Sequence, residues 1–95
     1  MDDVLGKIKE IARKYKITQV ILYGSRARGD YSSASDYDLA VFGESLSELD
    51  KAYFNSELEE IETLKKIDVT FIKEGVTDEF TENIRKEGVI IYEQN

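Results

Sequence analysis

Ninety-five residues make one domain, residues 1–95, whose core has little stability to spare. With no cysteine and no histidine, disulfides, thiolate sites and imidazole chemistry are excluded; carboxylates, hydroxyls, Lys, Arg and backbone amides remain, a palette suited to hard cations such as magnesium. A net charge of -7 without a long basic face argues against extended nucleic-acid binding, and the lack of an apolar run of ~20 residues or a signal-peptide core points to a cytoplasmic chain with no membrane partner.

The elements follow in chain order. Val4, Leu5, Ile8, Ile11, Ala12 and Tyr15 recur at helical spacing, with Asp2 and Asp3 at the dipole's positive end. Thr18 to Tyr23 is a β-rich run ending at Gly24. Residues 24–35 form a Gly- and Ser-rich loop with one helical turn starting after Ser25, and Asp30 reads as a turn residue. Tyr37 to Phe42 is a second strand. Ser45 and Glu48 suggest a capping box for a helix from about Leu46 to Leu64, with Leu46, Leu49, Tyr53, Ile61 and Leu64 facing inward. The run Glu57–Glu62 reads as a solvated face, and Tyr53 and Phe54 as core or interface. Ile67 to Ile72 is a third strand. Gly75 marks a turn, Thr77-Asp78-Glu79 a helix start, Gly88 its end, and Val89 to Tyr92 a last strand. The order α-β-β-α-β-α-β predicts an α/β (α+β) domain: a small mixed four-stranded sheet with helices on one face.

Strand alternation places the acids. Asp36 and Asp38 point one way, Tyr37, Leu39 and Val41 the other; Asp68 and Thr70 oppose Ile67, Val69 and Phe71. If the apolar rows face the helices, all three aspartates lie on the helix-free face. Two rises of ~3.3 Å separate the Asp36 and Asp38 Cα atoms by about 6.6 Å. Their carboxylates can lean together and bridge two cations ~3.5–4 Å apart. Without a cation, two carboxylates ~5 Å apart repel by ~3 kcal/mol at an effective dielectric of ~20. The preceding loop supplies the complement. Gly24 lets backbone approach a ligand, Ser25 opens a helical turn whose free N–H groups favour phosphate, and Arg26 and Arg28 add positive charge.

Gly24-Ser25, ten residues, then Asp36-x-Asp38 resembles the signature of the DNA-polymerase-β-like nucleotidyltransferases. The string GSRARGDYSSASDYDLAVF resembles their minimal nucleotidyltransferase (MNT) branch, and Asp68 in IDVTF matches the third carboxylate. Tyr37 departs from the family's usual aliphatic residue and bears on packing. The resemblance implies that Gly24 and Ser25 hold the triphosphate of ATP, that Asp36 and Asp38 ligate two magnesium ions, and that Asp68 ligates the activating metal or acts as base. It further implies a partner, a HEPN-domain ribonuclease toxin encoded alongside, with AMP transferred to one of its tyrosines. Two other readings stand beside this one. The first is an MNT-fold antitoxin or binding module that neutralises its partner by contact. The second is a small-molecule nucleotidyltransferase, whose extra helical domain this sequence lacks.

Overall fold

The computed structural model describes residues 2–29 and 36–94, without the Arg28 side chain. The element order is α1 (Asp3–Ala12), β1 (Gln19–Tyr23), α2 (Ser25–Arg28), β2 (Tyr37–Phe42), α3 (Glu48–Glu59), β3 (Ile67–Ile72), α4 (Glu79–Glu87) and β4 (Val89–Glu93). This is the expected order, with the helical turn after Gly24 counted as α2. Asp30 and the serines before Asp36 lie outside the described residues.

The sheet runs β3-β2-β1-β4. Strands β1 and β2 pair antiparallel, as do β1 and β4, while β2 and β3 pair parallel. The mixed pairing follows from the connections: α3 is the crossover that a parallel β2–β3 pair requires. Helices α1 and α3 cover one face. Ile8 and Ala12 of α1 and Phe54 and Leu58 of α3 bury there against Val20, Leu22, Tyr37, Leu39, Val41 and Ile91. Edge-to-face contacts of Phe54 with Tyr15 at 5.8 Å and with Phe71 at 6.1 Å join the layers.

The other face is not helix-free, which corrects the one-sided arrangement. Ile84 of α4 closes a second cluster with Ile21, Ala40, Phe42 and Ile72, and the Arg85 guanidinium stacks 4.3 Å from the centre of the Phe42 ring. The reason is written in the strands. Val20-Ile21-Leu22 and Leu39 to Phe42 are buried without interruption, the pattern of a sheet covered on both sides. Gly88 permits the tight return into β4. A Cβ there would meet Ile21 Cγ2 at 2.3 Å and the Ile84 carbonyl at 2.5 Å.

Helix α3 also departs from expectation. Its capping box is Ser47 with Asp50 rather than Ser45 with Glu48, and it ends at Glu59. Leu49 and Tyr53 are exposed and Leu64 fully so, while Phe54 and Leu58 face the core. The buried stripe follows Phe54 and Leu58, four residues apart and about 100° round the helix from Tyr53. Glu57 is not a free solvated charge. It accepts hydrogen bonds from Lys14 Nζ at 2.5 Å and from the Tyr15 hydroxyl, tying α3 to the end of α1. Among the described residues no helix is long and apolar enough to cross a membrane.

Candidate active site

The chain turns sharply where β1 ends. Gly24 has φ 77 and ψ -154, and α2 follows directly from Ser25. That backbone region is essentially restricted to glycine. The turn also lies hard against an acid: a Cβ on Gly24 would sit 2.6 Å from Asp38 Oδ2. The sheet register puts Tyr23 beside Asp38, and Asp38 beside Asp68. Asp38 and Asp68 therefore share one face on neighbouring strands, the face that also carries Ala40, Phe42 and Ile72. The acids occupy the end of that face beyond its apolar patch.

Asp36 precedes β2 and is exposed. Its Oδ1 accepts the Lys66 backbone N–H at 3.1 Å. Partial burial, with the charges of Asp68 and then Asp36, raises the Asp38 pKa above its usual range. The carboxylates thus repel one another, and a cation between them would reverse the sign. Their oxygens suit a hard divalent ion. Among the described residues no three acids converge into a ready-made cage. A magnesium ion held here would draw further ligands from water and substrate phosphates, as is usual for that ion.

Of the two arginines expected near phosphate, the described residues include the side chain of Arg26. The Arg26 guanidinium stacks 4.0 Å from the centre of the Tyr37 ring and lies 4.0 Å from Asp2 Oδ2, with its side chain only 8% exposed. The Tyr37 hydroxyl donates to Asp2 Oδ2 at 2.9 Å, and Asp2 Oδ1 accepts from the Leu5 N–H at the start of α1. Arg26 therefore fastens α2 to α1 and β2. Arg28 closes α2, and its side chain lies outside the description.

Lys66 was not singled out by sequence reasoning. Its N–H holds Asp36, its carbonyl accepts the Tyr37 N–H at 2.9 Å, and its ammonium lies 3.3 Å from Asp68 Oδ1. The available signal was a cation two residues before an acid on an edge strand, where alternation puts both on one side. Tyr23 and Phe80 were missed too; their rings meet edge to face at 5.8 Å beside Gly24.

The family model described as "Polymerase beta, Nucleotidyltransferase" matches residues 6–95. A protein of Methanocaldococcus jannaschii named "Putative protein adenylyltransferase MJ1379" is 39% identical over 71 residues, 66% of this chain and 68% of that protein. The crystal structure of "a putative nucleotidyltransferase" from Sulfolobus solfataricus superposes with a TM-score of 0.64 at 26% identity, covering 95% of this chain and 77% of that one. Two toxin–antitoxin structures share the fold. One, with AMP-PNP, has a TM-score of 0.63 at 19% identity; the other, a mutant MntA–HpeT pair, has 0.67 at 16%. Each covers 96% of this chain and 74% of its own.

Proposed function

Because the chain belongs to the polymerase-beta nucleotidyltransferase family, we propose that it is a metal-dependent protein adenylyltransferase that moves AMP from ATP onto a tyrosine hydroxyl of a HEPN-type ribonuclease toxin, as that toxin's antitoxin. The observation that carries this reading is the juxtaposition of the Gly24 turn with Asp38, and of Asp38 with Asp68 in parallel register. Support for the protein acceptor comes from the Methanocaldococcus relative's name and from the openness of a site built on so small a domain. Support for the toxin partner comes from the fold shared with toxin–antitoxin complexes and from the resemblance of the GSRARGDYSSASDYDLAVF string.

In this reading the Gly24–Ser25 turn lets the triphosphate approach the backbone closely, since no side chain stands at residue 24. Asp36 and Asp38 would hold magnesium, which when bound neutralises phosphate charge and polarises the α-phosphoryl group. Asp38 sits between the turn and Asp68, so a phosphoryl group above it reaches both. Asp68, on the edge-side strand, takes the proton of the incoming phenol. The phenol oxygen forms its bond to the α-phosphorus as the bond to the bridging oxygen breaks, and pyrophosphate leaves. Lys66 restrains Asp68 and the backbone beside Asp36, limiting what must be ordered when substrate arrives. The added phosphodiester places negative charge on the toxin, where it competes with RNA phosphate.

Co-expression with the neighbouring toxin tests this. The toxin is expected to gain one or more AMP units on tyrosine and to lose ribonuclease activity, while Asp36→Asn or Asp38→Asn leaves it unmodified and toxic. Full neutralisation by those variants would show protection by contact alone.

A further inference from the structure

A cavity of about 290 Å³ opens between the β1–α2 turn and α4, directly beside Gly24. Its walls include Tyr23, Gly24, Phe80, Asn83 and Glu87, with Ile84 below. Three properties mark what it suits. First, Phe80 leaves 49% of its surface exposed while its ring stands edge-on to Tyr23, so an aromatic surface is maintained at the mouth without being consumed by the core. Second, no described residue lining the cavity is cationic, and Glu87 is anionic; it is unsuited to phosphate. Third, Asn83 and Glu87 are four residues apart on α4 and present an amide and a carboxylate on one side.

The geometry points to this cavity as the nucleobase site, with adenine as its occupant and Asn83 and Glu87 as the residues that read it. The inference rests on the reading above, in which the triphosphate sits at Gly24 and the metal at Asp38. The cavity shares Gly24 with that site, so a nucleotide anchored there would direct its nucleoside end into an aromatic recess lined by no described cation. A flat heteroaromatic ring can pack on Phe80. The carboxamide of Asn83 supplies a donor and an acceptor side by side, matching a ring nitrogen and the adjacent exocyclic amine of adenine. The Glu87 carboxylate accepts from the same amine. Guanine would set its C6 oxygen, an acceptor, against that carboxylate, a repulsive arrangement that discriminates against it.

The test measures binding of ATP, GTP and inorganic tripolyphosphate, all with magnesium, to the full chain and to Phe80→Ala, Asn83→Leu and Glu87→Gln. All three positions are exposed, so the fold is retained. The wild type is expected to prefer ATP over both GTP and tripolyphosphate. Phe80→Ala and Asn83→Leu are each expected to weaken ATP by about tenfold while leaving tripolyphosphate unchanged. Glu87→Gln supplies an N–H donor and is expected to narrow the ATP-to-GTP ratio. Unchanged ATP affinity in both Phe80→Ala and Asn83→Leu would overturn the base site while leaving the phosphate site standing. Failure of the wild type to bind either ATP or tripolyphosphate would instead overturn the underlying reading.

Discussion

Gly24 and Asp38 are packed so closely that no side chain fits between them: a Cβ at residue 24 would stand 2.6 Å from Asp38 Oδ2. Gly24→Ala is therefore expected to fail twice. The φ of 77° strains any L residue by ~1–3 kcal/mol, and the methyl displaces the carboxylate. Thermal melts of Gly24→Ala, Asp38→Ala and the double variant separate the two effects. The glycine substitution is expected to cost less stability in the Asp38→Ala background, with the backbone strain remaining. Equal cost in both backgrounds would mean that the close approach carries no energy.

Asp38→Asn is expected to abolish transfer while leaving the metal-free fold as stable or more stable at neutral pH. Burial and the charges of Asp68 and Asp36 raise the Asp38 pKa above 3.8. Between those values the folded chain holds a proton that the unfolded chain has released. The wild type therefore loses stability as pH rises through that window. The variant has no proton to lose there, so its relative stability is expected to rise with pH from about 3.8 upward. Melts in EDTA across that range provide the check. A variant less stable than wild type at neutral pH would contradict the repulsion.

Arg26→Ala is expected to act on stability first. The substitution removes a guanidinium stacked on Tyr37 and its packed stem, at a cost of about 1–2 kcal/mol. Denaturant unfolding without nucleotide measures it. An unchanged midpoint with a weakened ATP affinity would assign Arg26 to phosphate binding rather than to packing.

Helices α1 and α3 are clasped by a pH-sensitive contact. Lys14 first, then Tyr15, hold the Glu57 pKa below its usual value, and burial with the Glu57 hydrogen bond pushes Tyr15 up to about 12. For Glu57 the stabilisation is present above the ordinary value of 4.5 and is lost as pH falls through the lowered folded value. For Tyr15 it is present below 10.0 and is lost as pH rises toward about 12. Glu57→Gln is expected to be less stable than wild type at neutral pH, the gap closing in acid. A gap that persists at low pH would assign the loss to packing.

The sequence carried the strands and the acids because local pattern determines both. GS-x10-D-x-D needs only a strand, a turn and a strand to bring Gly24 to Asp38, and two-residue alternation puts Asp38 and Asp68 on one face; the parallel register that makes them partners is set by the pairing of β2 with β3. The second apolar face was legible in the unbroken Val20-Ile21-Leu22 and Leu39 to Phe42 runs, but an alternating reading of those strands hid it. The stacking of Arg26 on Tyr37 was not legible. Its partners, Asp2 and Tyr37, are distant in sequence, and nothing local distinguishes an arginine stacked on a ring from one facing phosphate. The role of Glu57 was hidden for the same reason, since Lys14 and Tyr15 reach it only once α1 and α3 pack.

The most direct test of the central claim is transfer from ATP labelled at either the α- or the γ-phosphate, with magnesium and the toxin partner, using wild type and Asp38→Asn. The α-label is expected on the partner's tyrosine and the γ-label in released pyrophosphate, with neither outcome for Asp38→Asn or in EDTA. Label from the γ-phosphate on protein, or α-label transferred equally by Asp38→Asn, would contradict AMP transfer at this site.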